Sequence, residues 1–193
     1  MTSTDNPARA RRSDAQRNLD ALLVAARDVF AESGVDAPIR EIATRAGVGV
    51  GTVYRHFPQR SDLIVAVFRR EVDTCVAEAA AFAADLPPAE ALVAWIHRFT
   101  GFVAAKQGLA PALHSGDPTY LPLRGYFEAQ FVPVLDGLLE RAAATGAVRR
   151  DVAAVELLNA VSRLCDSPGA EPATSRRMVG LLLDGLRADA TRR

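Results

Sequence analysis

Apolar residues recur along this chain at intervals of three and four, in segments separated by short runs of glycine, proline and polar residues. Leu19, Leu22, Ala26, Val29 and Phe30 make the first stripe, which stops at Gly34. Ile39, Ile42 and Ala43 make a short second one, and Val48, Val53 and Phe57 a third. A period near 3.6 is the mark of a helix with one buried face. Ile64, Phe68, Val72, Cys75, Ala79 and Phe82 predict a long fourth helix from about residue 59 to Ala84, broken at Pro87-Pro88 because consecutive prolines cannot continue it. Leu92, Trp95, Ile96, Phe99, Phe102 and Val103 follow over 90–106, and Tyr120, Leu123, Phe127, Phe131, Leu135 and Leu138 over 120–144. Pro133 lies inside the latter helix, so a kink or break is expected there. Helices over 152–165 and 174–189, the first capped by Asp151, are apolar on more than one side. The predicted fold class is all-α.

The segment from Pro38 to Leu63 organises the rest. Pro38 suits the first turn of a helix, and Gly47 supplies the left-handed residue that ends one. The chain restarts at Gly49 and Val50, which makes a helix-turn-helix. Its second helix leaves Thr52, Tyr54, Arg55 and His56 pointing outward. Between Arg40 and Arg60 four arginines stand against Glu41 alone, a local charge of +3 on a chain whose net charge is zero. Hydroxyl, phenol, imidazole and guanidinium groups on a helix slim enough for the major groove suit duplex DNA. Arg45 reads as a solvated surface charge.

The run AGVGVGTVYRHFPQRSDLI resembles the DNA-binding signature of the TetR family of bacterial transcriptional regulators, with Ala46, Gly47, Val48, Gly51, Thr52, Tyr54, His56 and Phe57 in register. The preceding RNLDALLVAARDVFAESG is similar to that family's first helix, and the likeness covers roughly Ser13 to Phe82. It implies Val50, Gly51 and Arg55 at base edges with Arg40 reaching in, and Thr52, Tyr54, His56 and Arg60 on phosphates. Gly49, Pro38 and Arg60 depart from the family's usual residues: the first two withhold hydroxyls, and arginine for lysine changes the geometry of the charge.

At 193 residues, 49% apolar and 24% charged, the chain has the composition of a folded soluble protein. No apolar run approaches the ~20 residues of a membrane span, so the expected location is the cytoplasm. Cys75 and Cys165 stand alone without metal-ligand spacing and read as small buried hydrophobes. No metal, cofactor or catalytic constellation is indicated; His114 and Asp117 are too few for a metal site.

Residues 1–12, ending in Arg9, Arg11 and Arg12, read as a disordered basic arm, either a solvated tail or a DNA-binding one. Residues 13–58 read as the DNA-binding domain, opened by a capping box at Ser13–Gln16. Residues 59–193 read as an effector-binding and dimerisation domain. An aromatic stripe is core, pocket wall or both; the candidate wall is Cys75, Trp95, Arg98, Phe99, Phe102, Tyr120, Arg124, Phe127 and Phe131. The doubly apolar last helices offer Leu158, Val161, Cys165, Met178, Leu182 and Leu186 to a second copy. The expectation is a homodimer on a palindromic operator, a repressor released by a small apolar or amphipathic effector; the sign of that response is implied by the family resemblance. The rival readings are an architectural DNA-binding protein without effector and, with nothing to support it, a helical enzyme.

Overall fold

The computed structural model describes residues 7–166 and 171–188, with side chains from residue 16 onward. The described residues form α1 (Pro7–Ser33), α2 (Ile39–Ala46), α3 (Val50–His56), α4 (Arg60–Asp85), α5 (Pro88–Lys106), α6 (Ala110–Leu113), α7 (Pro122–Ala144), α8 (Ala154–Cys165) and α9 (Pro172–Asp184). Four of these open on a proline, whose missing N–H costs nothing in a first turn. The only pairing of extended segments among the described residues is an isolated antiparallel bridge between Val148 and Arg187. No described helix is long and apolar enough to cross a membrane.

The chain divides into two compact units, residues 1–70 with 108–119, and residues 71–107 with 120–193. This differs from the expected partition at residue 58. The first turns of α4 bury Leu63, Ile64, Val67 and Phe68, and Arg70 reaches Asp20 of α1 at 2.5 Å, so the unit built on α1 extends into α4. Leu22, Ala26, Val29 and Phe30 of α1, Ile42 and Ala43 of α2 and Val53 of α3 complete its core. Each large side chain buried there contributes roughly 1.5–3 kcal/mol. Gln59 donates its backbone N–H to Asp62 at 2.9 Å, which fixes the start of α4.

The expected arm is corrected in part. Residues 7–12 belong to α1, and Ser13–Gln16 lies inside the helix rather than at its start. Ala8, Arg9, Ala10, Arg11 and Arg12 are strong helix formers, and Pro7 sits in the first turn. Residues 1–6 lie outside the described residues.

In the second unit Trp95 is buried and donates from Nε1 to the Cys75 carbonyl at 2.9 Å. Burial pushes the Cys75 thiol up to about 12, so it stays protonated and packs as a hydrophobe. Cys165 is also buried, and both cysteines are free. Helix α7 runs through Pro133 without a break. Helix α8 is capped at Ala153, whose N–H is met by Glu156 at 3.3 Å, while Asp151 pairs with Arg149 instead of capping.

Candidate nucleic-acid interface

Gly47 closes α2 with φ of +67°, and the Val48 N–H reaches back to Ala43 at 3.0 Å. A residue with a Cβ would pay for that left-handed backbone. Two residues later α3 begins, held inward by Val53, which is buried. Because Val53 fixes the inner face, the outer face follows from helix geometry: Gly51, Tyr54, Arg55 and His56 are exposed, Tyr54 at 52%, and Val50 and Thr52 are half-buried. Arg40 is exposed on α2. A Cβ built on Gly51 would meet nothing within 4 Å, so the backbone there is open to a close partner.

The arginines separate into two pairs. Arg45 grips Glu32 of α1 through two bonds of 2.7 Å, with Glu41 at 3.8 Å. That contact holds the Glu32 carboxyl below its ordinary range and raises the Arg45 guanidinium. Arg60 donates through one nitrogen to the carbonyls of Val35 and of Ala37, the latter at 2.8 Å. Arg60, expected on phosphate, is thus engaged in a tie across the loop between α1 and α2. Arg40 and Arg55 remain outward, without a carboxylate partner among the described residues. Thr44, on the same side of α2 as Arg40, spends its hydroxyl on the Arg40 carbonyl at 2.8 Å.

A profile described as bacterial regulatory proteins, tetR family, matches residues 22–67, and one described as the SbtR-like transcriptional regulator C-terminal domain matches residues 87–188. The chain belongs to the TetR family. A TetR transcriptional regulator of Streptomyces coelicolor is 39% identical, matched over 89% of this chain and 99% of its own, with a TM-score of 0.76. A TetR transcription regulatory protein of Mycobacterium vanbaalenii is 38% identical, over 91% and 98%, with a TM-score of 0.74. An HTH-type transcriptional regulator of Staphylococcus aureus is 40% identical over 63 residues, 32% of this chain; the chain spans about a third (34%) of the length of the curated relatives it matches. As a TetR regulator, the protein is a DNA-binding transcription factor, and its family and fold are those of regulators rather than enzymes.

The TetR C-terminal unit departs from several expectations. The rings of Trp95, Phe99, Phe102, Phe127 and Phe131 pack against one another, with neighbouring centroids 4.8–6.0 Å apart, so the stripe read as core, pocket wall or both forms at least a packed aromatic cluster. Phe127 is half-buried and the other four are buried. Arg98 is paired with Glu78 at the edge of the cluster. Arg124 is no wall residue: its side chain is 88% exposed and paired with Glu128 along the helix, because α7 turns Leu123 inward. Tyr120 is half-buried in a short 3-10 turn, Pro118–Tyr120. In the preceding loop Asp117 accepts from the Thr119 N–H at 2.8 Å, which lowers its carboxyl pKa.

Four of the six expected dimer residues are also corrected. Leu158, Val161, Cys165 and Leu186 are buried within the chain. Helix α8 buries Ala154, Leu157, Leu158, Val161 and Cys165, a single stripe at helical spacing, so its two expected apolar sides are one. Leu186 lies past the end of α9, where its carbonyl accepts from Arg149 at 2.9 Å. The outward apolar residues are Val155, 44% exposed, and Leu181, 60% exposed, beside half-buried Met178 and Leu182.

Proposed function

We propose that this TetR regulator is a homodimeric, effector-responsive repressor that works in the cytoplasm on a palindromic operator. The observation that carries the proposal is the outer face of α3, where Tyr54, Arg55 and His56 stand exposed beside Arg40 of α2. Arg40 and Arg55, the two of the four arginines between 40 and 60 without a carboxylate or carbonyl partner among the described residues, reach base edges, with Val50 and Gly51 against the groove floor. Thr52, Tyr54 and His56 hold phosphate. Arg40→Ala is expected to weaken operator binding about tenfold to a hundredfold and Tyr54→Phe severalfold, with melting temperature unchanged. Binding of labelled operator at fixed salt measures both, and unchanged affinity in the two variants would sink the contact assignment.

The dimer forms through α8 and α9. A shallow groove between them, about 360 Å³ and lined by Val152, Leu157, Leu181 and Leu182, gives a second copy an apolar seat. Leu181→Glu is expected to turn a dimer into a folded monomer in sedimentation, because Leu181 contributes little to the core of its own chain. Dimers that persist in that variant refute the interface.

Effector binding in the second unit reaches the DNA-binding unit through the chain itself. Helix α5 ends at Lys106, and the next turn carries Gly108 onto the backbone of α1. An effector that shifts α5 pulls on that seat and lowers operator affinity by its differential binding to the two states. The closed packing of the aromatic rings favours a second reading, a DNA-binding architectural protein with no effector. Release of operator by any small apolar compound decides for the first.

A further inference from the structure

We propose that Arg55 reads a guanine in each half-site of the operator, holding its N7 and O6 with two parallel N–H groups of the guanidinium. The inference deepens the proposal that the protein binds a palindromic operator and rests on it. An α-helix advances about 100° per residue, so buried Val53 fixes the direction of every other side chain of α3. Gly51 and Arg55 then lie about 20° to either side of the line directly opposite Val53, and together they form the outermost ridge of the helix. Thr52 and Tyr54 fall about 80° to either side of that line. A helix set in the major groove meets base edges along its ridge and the phosphate walls along its flanks.

Gly51 puts no side chain on the ridge, and a Cβ there would meet nothing within 4 Å. Glycine weakens a helix interior, so the fold gains nothing from it at this position. The bare backbone lets α3 sink toward the bases and leaves Arg55 as the one side chain on the ridge. Arg55 is exposed and has no carboxylate partner among the described residues. The acids closest in sequence are engaged elsewhere, Glu41 at 3.8 Å from Arg45 and Asp62 accepting the Gln59 N–H at 2.9 Å.

The chemistry of the side chain selects the base. A guanidinium presents donors in a rigid fork and no acceptor. Guanine offers two neighbouring acceptors in the major groove, whereas adenine sets an N6 donor beside its N7, cytosine offers a donor, and thymine a carbonyl next to a methyl. Helix α3 contains no Asn, Gln, Asp or Glu, so it carries none of the groups suited to adenine or cytosine.

The test selects a site for the full chain from a random duplex pool at fixed salt. 7-Deazaguanine, which has C–H in place of N7 and keeps Watson–Crick pairing, then replaces one guanine of that site at a time. At one position in each half-site it is expected to weaken binding about tenfold, and adenine there about tenfold to a hundredfold. Arg55→Ala removes an exposed side chain and should melt with the parent, and it should bind the guanine and 7-deazaguanine forms at that position equally. A penalty that persists at every guanine in Arg55→Ala would assign the base to another residue, and equal weakening of selected and scrambled duplexes would put Arg55 on phosphate. Either result overturns the proposal and leaves operator binding standing. A pool that yields no enriched sequence sinks both.

Discussion

Gly108→Ala is expected to lower the melting temperature by roughly 6–12 °C and to weaken operator binding with it. A Cβ at this position would lie 2.8 Å from the Phe30 carbonyl carbon and 2.9 Å from the Ala31 Cα, and closer still to the Phe30 oxygen. These are backbone atoms of α1, so no rotamer change relieves the clash. The Phe30 carbonyl also accepts the Gly34 N–H at 3.0 Å, the bond that closes α1. Any retreat of α1 therefore disturbs its own end and the Arg45–Glu32 contact that joins it to α2. Overpacking of this kind costs about 3 kcal/mol, and a chain of this length loses about 2–4 °C per kcal/mol. Gly137→Ala is the control: it sits within α7, a Cβ there meets nothing within 4 Å, and alanine is the better helix former. A thermal melt of the two variants checks the prediction, and equal midpoints would show that residues 107–109 do not seat on α1 as described.

Phe131→Ala is expected to cost about 3–5 kcal/mol in denaturant unfolding, because the ring is fully buried and touched from four sides. Its centroid lies 4.8 Å from Phe127, 5.1 Å from both Phe99 and Phe102, and 5.8 Å from Trp95. Removing it leaves a void that the surrounding rings cannot close without leaving their own contacts. Half-buried Phe127, replaced in the same way, should lose less. If the rings instead border a standing space, Phe131→Ala loses about 1 kcal/mol or less, and an effector pocket in the cluster becomes the better description.

The helix-turn-helix was legible because every signal in it is local. Gly47, the inward Val53 and the outward Tyr54 to His56 are fixed by spacing along a few residues, and their placement follows from helix geometry. The fates of Arg45 and Arg60 were not, since their partners lie 13, 23 and 25 residues away and no periodic rule links them. A stripe such as Trp95, Phe99 and Phe102 has the same spacing whether it fills a core or lines a cavity, so only the ring-to-ring distances distinguish the two. The same ambiguity misplaced Leu158 and Val161. A twelve-residue helix turns residues 60° apart to one side or to its edge, and which of them the core claims depends on neighbours distant in sequence.

The internal pairing of Arg45 and Arg60 bears on how the operator complex responds to its ionic surroundings. Each cation that meets a phosphate displaces condensed counterions and adds about 0.9 to the steepness with which log affinity falls against log salt. Arg45 and Arg60 are already held by protein carboxylate and carbonyl groups, so they add little to that release. In the proposed operator complex, affinity would then rest more on shape and base contacts than on bulk attraction, and its fall with rising salt should be shallower than if all four arginines of the segment met phosphate.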